Sequence, residues 1–146
     1  MQNNIAVLLP YKDQFIKDNA GSASIWVKDF SKNSRLKKNT TVFGYTSNIN
    51  KIFDNFNYVN LKFNNFGFKS KNLRYVNKFI DFLKKRKFSL IEIHNRPSYI
   101  LHINKFLTSQ KYILVIHNNP QTLRGAVTPK ERKHLIKICS KITFVS

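Results

Sequence analysis

Six short apolar runs, separated by longer polar or amphipathic segments, constrain the fold of this chain more than any other feature. The runs cover residues 5–9, 41–45, 58–61, 90–94, 112–117 and 142–145. A strand that is buried on both faces of a parallel sheet reads as a continuous apolar run rather than as an alternating one. Alternation of such strands with helices favours a mostly parallel sheet with helices on both sides. We therefore predict an α/β fold, a Rossmann-like three-layer α/β/α domain with about six strands.

Three segments between the runs carry helix signals. The clearest is 70–87, because its apolar residues fall on one face at the helical period and its lysines cover the other face. The segment 21–31 opens with small residues, and Ser22 is predicted to be its N-cap. The last helix is predicted to start at Thr128, which is followed by a proline and then, three residues after the cap, by Glu131.

The single cysteine, Cys139, follows Leu135 and Ile136 at helical spacing, so we expect these three residues to form the buried face of the last helix. With no second cysteine in the sequence we expect a buried, unreactive thiol. The 146 residues suit one domain, 1–146. The first apolar run is too short for a signal sequence, and no later run approaches the roughly 20 residues of a membrane span. These features favour a cytoplasmic protein.

The formal charge of +19 is open to more than one interpretation. A strongly basic chain can bind nucleic acid, an anionic membrane surface or a phosphorylated ligand. Lysines outnumber arginines by 20 to 6, and Asn, Ile and Phe are abundant, as AT-rich coding alone produces. No RNP-type, zinc-binding or helix-turn-helix pattern is present, so we expect no nucleic-acid partner. A non-catalytic basic module that binds an anionic membrane surface or nucleic acid stays open as an alternative function.

Two neighbouring apolar runs end in the same way, as IEIHNRP and as ILVIHNNP. Ligands of open parallel sheets bind outside the carboxyl ends of the strands, which is where these His-Asn-x-Pro sequences fall. Neutral imidazole can both donate and accept a hydrogen bond, which suits a sugar hydroxyl. A purely structural role, in which the polar residues cap the strands and the prolines stop them, is the alternative. The residues concerned are His94, Asn95, Arg96, His117 and Asn118.

Other kinds of site have less support. A metal site is disfavoured, because the two histidines lie on separate strands and we find no carboxylate or thiol motif near them. His134 falls in the last predicted helix and His102 in the segment between the fourth and fifth runs, which we also expect to be helical; both are assigned no function. Gly21 and Ser22 form a small-residue turn before a helix, where backbone amides and the helix N-terminus can face a diphosphate. The GxGxxG, GxxxxGK[ST], GxSxG and HExxH motifs are all missing from the sequence, which removes the main support for dinucleotide, P-loop, hydrolase and zincin chemistry.

Taken in order, these pieces resemble the N-terminal domain of the retaining GT-B glycosyltransferases of family four, especially the lipopolysaccharide and capsule sugar transferases. IAVLLPYKDQ and AGSAS are similar to the first strand, loop and helix of that domain. IEIHNRP resembles its strand-end histidine motif, ILVIHNNPQTLRG its next strand and acceptor-side loop, and KITFVS its closing strand. The resemblance covers the whole chain and implies the N-terminal, acceptor-side half of a GT-B fold.

The resemblance also implies roles for individual residues. His94 would be the catalytic residue, with its imidazole in the interdomain cleft near the transferred sugar. The loop at Gly21 and Ser22 would approach the donor diphosphate. Further residues would line the cleft as substrate-binding groups, namely Asn95, Arg96, His117, Asn118 and Arg124.

The enzyme implied by the resemblance is a hexosyltransferase-like transferase. It would move a sugar from a nucleotide-sugar co-substrate to a glycan or lipid-linked acceptor, with no cofactor, no required metal and possible peripheral contact with the anionic inner face of the cell membrane. Such enzymes carry a second domain with an E-x7-E pair, whereas Glu92 and Glu131 cannot make that spacing. We therefore expect the donor-binding domain to lie outside this sequence and the 146-residue fragment alone to be inactive.

Overall fold

The part of the chain that the structure describes contains six parallel strands, which form one sheet at the centre of the fold. The computed structural model describes residues 4–64 and 66–145. The strands run in the spatial order β3-β2-β1-β4-β5-β6, which is the order of a doubly wound Rossmann sheet. Every neighbouring pair is parallel, so the predicted α/β class is confirmed. The strands are β1 (Ile5–Leu8), β2 (Thr40–Gly44), β3 (Asn57–Asn60), β4 (Leu90–His94), β5 (Tyr112–Ile116) and β6 (Cys139–Phe144).

Helices cover both faces of the sheet, as the three-layer prediction requires. They are α1 (Ser22–Lys32), α2 (Lys71–Lys85), α3 (Pro97–Ile103) and α4 (Pro129–Ile138), with short 3₁₀ turns at Lys37–Asn39, Ile49–Lys51 and Pro120–Thr122. The predicted apolar face of α2 is confirmed at Val76, Phe79, Ile80 and Leu83, all of which are buried. Within the described residues no helix is both long enough and apolar enough to cross a membrane.

The two faces of the sheet pack against different helices because side chains alternate along each strand. Ala6 and Leu8 of β1 face a large core that also contains the buried residues of α2, α3 and α4. Val7 and Leu9 face a smaller core against α1. On β4 the same alternation sends the two isoleucines to the large core, and the residue that follows each of them, a glutamate or a histidine, points to the other face. Polar side chains therefore occupy the α1 face of the sheet beside a single helix.

The end of the chain differs from the prediction. Helix α4 ends at Ile138, and β6 begins at Cys139 without an intervening turn. Leu135 is buried as expected, but Ile136 is 67% exposed and Cys139 is a half-buried strand residue, so the predicted face of α4 was wrong at these two positions. Burial raises the pKa of the Cys139 thiol to about 11, consistent with an unreactive group. Ser146, the last residue of the KITFVS motif, lies outside the described residues.

The N-terminal caps of α4 and α1 come from residues at different distances along the chain, and only the nearby cap was predicted. The predicted capping box of α4 is confirmed: the Thr128 hydroxyl accepts from the Glu131 amide and the Glu131 carboxylate accepts from the Thr128 amide. Helix α1 differs from the prediction, because its N-cap is Gly21 and not Ser22. The group that caps it is the carboxylate of Asp13, ten residues before Ala23.

Of two buried tyrosine hydroxyls, one ties a helix to the carboxyl ends of two strands. The Tyr75 hydroxyl donates to the carbonyl oxygen of Leu9 at 2.8 Å and lies 3.4 Å from that of Phe43, so α2 is tied to the ends of β1 and β2. Burial raises the pKa of this phenol far above its usual value, so it stays protonated and donates. The buried Tyr58 hydroxyl, by contrast, has no hydrogen-bond partner among the described residues.

Candidate functional site

The candidate site lies at the carboxyl ends of β1, β4 and β5. In a sheet of this order the connections leave β1 and β4 on opposite sides, which opens a crevice between these strands. The β1–α1 loop borders the crevice on one side, and the two His-Asn-x-Pro sequences follow β4 and β5. The structure therefore brings together most of the polar residues that the sequence analysis selected.

The two histidines do not occupy equivalent positions, although their sequence motifs are alike. In the parallel pairing of β4 with β5, His94 is opposite Val115, two residues before His117. Both histidines point to the same face of the sheet, and His117 lies one pleat nearer the edge. His94 is fully buried, with 0% exposure, whereas His117 is half-buried. The expectation that the His94 imidazole faces an open cleft is therefore wrong, because the register puts His117 in front of it.

His94 is held between two polar partners. Its Nε2 lies 2.7 Å from Oε1 of Glu92, and its Nδ1 lies 3.0 Å from Nε2 of His117. Glu92 is two residues before His94 on β4, so both side chains project from the same face. The sequence analysis found no carboxylate near the histidines, and that statement is wrong. The three side chains form a continuous hydrogen-bonded chain that runs from the sheet interior to its edge.

His117 opens onto a largely apolar cleft beside the first helix, which we call the α1 cleft. Its volume is about 520 Å³. The indole of Trp26 lies over the imidazoles, with ring centroids 5.2 Å from His94 and 6.1 Å from His117. Trp26 also stacks on Phe30 at 4.8 Å and an interplanar angle of 7°. The lining residues are Ser22, Ile25, Trp26, Asp29, Phe30, His117 and Val145.

Burial is the main reason that the pKa of His117 is lowered, and the neighbouring His94 lowers it further. Carboxylates at Asp13 and Glu92 act in the opposite direction without reversing the shift. The ring is therefore neutral at neutral pH. A neutral imidazole beside aromatic faces gives the cleft hydrogen-bonding capacity without a fixed charge.

The N-terminus of α1 already holds an anionic group from the chain itself. Asp13 accepts hydrogen bonds from the backbone amides of Ala23 at 3.0 Å and Ser24 at 3.1 Å, and from the Ser24 hydroxyl. A Cβ placed on Gly21 would lie 2.4 Å from the Asp13 carboxyl carbon. Gly21 thus gives Asp13 access to the helix end. A donor diphosphate at Gly21 and Ser22 would have to displace the Asp13 carboxylate from the N-terminus of α1. Diphosphate binding at these two residues therefore stays a prediction.

Asn95 and Arg96 follow His94 directly, and their side chains make different contacts. Asn95 has a left-handed backbone with φ of 54°, which Asn tolerates better than most residues, and its amide donates to Val115 at 2.7 Å. Its buried side-chain oxygen has no hydrogen-bond partner among the described residues. Arg96 donates to the carbonyl oxygen of Asn95 at 2.9 Å, and its charge lowers the pKa of Tyr99 against the larger, raising effect of burial.

Arg124 and Asn118 do not join the histidine cluster. Arg124 is exposed and lines a second, smaller cleft of about 220 Å³ between α2 and α3. His102 also lines that cleft and is bonded to Asn77 at 2.8 Å; burial lowers its pKa. Asn118 is exposed in the loop after β5. His134 is exposed on α4, as expected for a residue with no assigned role.

Three residues of the site were missed by sequence reasoning. Glu92 could have been found, because two polar residues spaced by two on an otherwise apolar strand must share a face. Trp26 lies within the predicted helix 21–31 and was given no role in the site. Asp13 gave no local signal, since its partners on α1 are ten and eleven residues away.

Within the described part of the chain, no group of three or more His, Cys, Asp or Glu side chains is arranged to hold a metal ion. The ring nitrogens of His94 are both engaged in hydrogen bonds, as is Nε2 of His117. No protein-family model matches the chain, and no curated protein matches it. The structure itself therefore supports a Rossmann-like α/β domain with an aromatic, histidine-containing cleft at the carboxyl edge of its sheet.

Proposed function

We propose that this chain is the N-terminal, acceptor-side domain of a retaining GT-B glycosyltransferase. Joined to a donor-binding domain, it would transfer a sugar from a nucleotide-sugar to a glycan or lipid-linked acceptor. The proposal rests on the order of the motifs in the sequence and agrees with the Rossmann strand order. The observation that carries it is the largely apolar, partly aromatic α1 cleft beside the strand-end histidines.

The chemistry of the α1 cleft suits a sugar ring. The C–H groups of a pyranose can pack on aromatic faces such as those of Trp26 and Phe30. Ligand sites of this kind combine an apolar lining with a few placed polar groups that fix orientation. His117 supplies such a group. A phosphate-binding domain would instead need unoccupied cationic or amide groups, and the α1 amides of Ala23 and Ser24 already donate to Asp13.

In transfer from a nucleotide-sugar, positive charge builds at the anomeric carbon and negative charge builds on the departing diphosphate. Fixed dipoles and cations must stabilise the diphosphate. The second domain would supply most of these groups, while this domain would orient the acceptor and the transferred sugar. His94 would then act on the sugar through His117, since it is fully buried behind that ring.

The test compares nucleotide release from a set of nucleotide-sugars by the isolated chain and by the chain joined to its native donor-binding domain. We expect background release from the first and turnover from the second. In the two-domain enzyme, His117→Ala should lower turnover by about 10²-fold or more, the range for a positioned polar group. His102→Ala is the matched control, because that histidine lies in the other cleft. Turnover by the isolated chain, or its absence in the two-domain protein, would contradict the proposal.

A second candidate function is peripheral binding to an anionic membrane, and the surface of α4 favours it. Lys130, Lys133 and Lys137 line one exposed strip of this helix, and the nearby Ile136 is 67% exposed. Each lysine close to an anionic bilayer contributes about 1 kcal/mol. Co-sedimentation with phosphatidylserine vesicles tests it: binding should fall steeply with salt and be lost when the three lysines become glutamate. Equal binding to neutral vesicles would contradict this function.

A further inference from the structure

A hydrogen-bonded chain joins Glu92, His94 and His117. The donor and the acceptor of the first bond determine those of the second. An ionised carboxylate can only accept, so Nε2 of His94 carries a proton and donates to Glu92 over 2.7 Å. In a neutral His94 ring, Nδ1 is then an acceptor. His117 must donate to it from Nε2 over 3.0 Å. The neutral His117 ring is therefore left with an unprotonated Nδ1.

Burial protects these hydrogen bonds from competition by water. His94 is fully buried, and the side chain of Glu92 is 16% exposed, so water competes little for the two bonds. Among the described residues, Nδ1 of His117 has no hydrogen-bond partner, and the residue lines the α1 cleft. A strand-end histidine with a purely structural role would complete its bonds on backbone groups. Here the chain begins at a buried carboxylate and ends at a ring nitrogen with an unused lone pair.

We propose that Glu92 and His94 act as positioning residues that hold His117 in the Nε2-protonated tautomer, so that its Nδ1 accepts a hydrogen bond from a hydroxyl of a ligand in the α1 cleft. The ligand class is a neutral polyhydroxylated ring. In naming a sugar hydroxyl, the inference rests on the proposed function. The tautomer order itself follows from the three side chains alone. In other sites, a carboxylate that accepts from one ring nitrogen of an active histidine fixes its tautomer in the same way.

The arrangement has a pH dependence with a definite sign. Protonation of His117 at Nδ1 removes the acceptor that the ligand hydroxyl uses and reverses this hydrogen bond, so ligand binding should weaken as the pH falls through the pKa of His117. The charged and titratable groups that face this ring are Asp13 from the β1–α1 loop, Glu92 and His94 from β4, and Asp29 on the lining of the cleft. Burial and His94 keep the pKa of His117 below its ordinary value, so binding should persist below pH 6.5.

Nitrogen-15 NMR of the imidazole rings tests the tautomer order directly in the full chain. Near pH 7.5 we expect both His94 and His117 to carry their proton on Nε2. Glu92→Gln keeps an acceptor oxygen and should preserve this pattern, whereas Glu92→Leu removes the acceptor and should give mixed tautomers in both rings. His117 protonated mainly on Nδ1 in the wild type would overturn the inference, as would an unchanged pattern in folded Glu92→Leu.

The ligand class is tested by titration with methyl hexosides, followed by the Nδ1 shift of His117 and by the fluorescence of Trp26, the only tryptophan of the chain. We expect the Nδ1 signal to move, and Glu92→Leu to weaken binding about tenfold while Glu92→Gln restores most of it. His102→Leu should bind like wild type.

The two proposals fail in different ways. If both histidines show the expected tautomers but neither probe responds to the hexosides, the sugar assignment is refuted, and with it the proposed function. The proposed hydrogen-bond directions among the three side chains would still be supported. If the two-domain protein is an active glycosyltransferase but the tautomers are reversed, the proposed hydrogen-bond directions are refuted and the proposed function stands.

Discussion

The capping of α1 by Asp13 leads to a sharp prediction, because the carboxylate and Gly21 depend on each other. Asp13 accepts from two backbone amides and from the hydroxyl of Ser24, which is fully buried. Gly21 leaves room for it, since any Cβ at this position would lie 2.4 Å from the carboxyl carbon. The two substitutions Asp13→Ala and Gly21→Ala should therefore remove largely the same interaction.

The magnitude follows from the bonds that are lost. An N-terminal cap contributes about 0.5–2 kcal/mol, and a buried hydroxyl left without its acceptor costs about 1–3 kcal/mol. Asp13→Ala should thus lower the free energy of unfolding by about 2–4 kcal/mol. Gly21→Ala must push the carboxylate away and should cost about 1–2 kcal/mol alone. In the Asp13→Ala background it should cost at most about 0.5 kcal/mol, giving a coupling near 1 kcal/mol.

Urea unfolding followed by far-UV circular dichroism gives the four free energies of the cycle, provided that the denaturant slope is unchanged between variants. Asp18→Ala is the control: this exposed carboxylate pairs with Lys51 at the surface, and its removal should cost less than about 1 kcal/mol. Additive costs for the two main substitutions would refute the shared-interaction argument. A cost below about 0.5 kcal/mol for Asp13→Ala would show that the cap does not stabilise the fold.

Three further predictions concern single groups. Tyr75→Phe should lower the free energy of unfolding by about 1 kcal/mol, because the Tyr75 hydroxyl donates to a buried carbonyl. Tyr58→Phe removes an unpaired buried hydroxyl and should be neutral or stabilising. Equal losses for the two variants in urea unfolding would contradict this. Thr128→Ala should destabilise α4 by about 1 kcal/mol. It should raise the pKa of Glu131 only slightly, as carboxyl NMR titration can measure, because the Thr128 backbone amide that mainly holds this pKa low is kept and only the smaller contribution of the hydroxyl is lost. The Cys139 thiol, whose pKa burial raises to about 11, should react with iodoacetamide at pH 8 far more slowly in the folded chain than in urea, and equal rates would contradict its burial.

The sheet could be predicted from sequence because its signals are local. Continuous apolar runs mark strands that are buried on both faces, and β4 was predicted with its observed bounds. Helix α2 has a clear amphipathic period, and the capping box of α4 is contained in four consecutive residues. The boundary between α4 and β6 was misplaced because the strand follows the helix directly, and no turn residue marks the change at Cys139.

The candidate site could be predicted only as a set of residues, because its geometry depends on contacts between distant segments. The two His-Asn-x-Pro sequences look equivalent, and only the register of β4 against β5 shows that His94 is buried while His117 reaches the edge. The cap of α1 comes from a loop residue with no fixed spacing to the helix. Arg124 was grouped with the histidines by the family resemblance, but the loop after β5 carries it to the other face of the sheet.

The strand order has a consequence for how the chain folds. The first strand, β1, is central, and its two neighbours are β2, which begins at Thr40, and β4, which begins at Leu90. Both pairings close long loops, whose entropy must be overcome before the contacts stabilise anything, and parallel pairing of this kind folds slowly. During synthesis β1 emerges first and stays without its second neighbour until residues 90–94 have left the ribosome. Nascent chains that stop before Leu90 should therefore be digested rapidly by protease, and those that extend through β5 should become resistant.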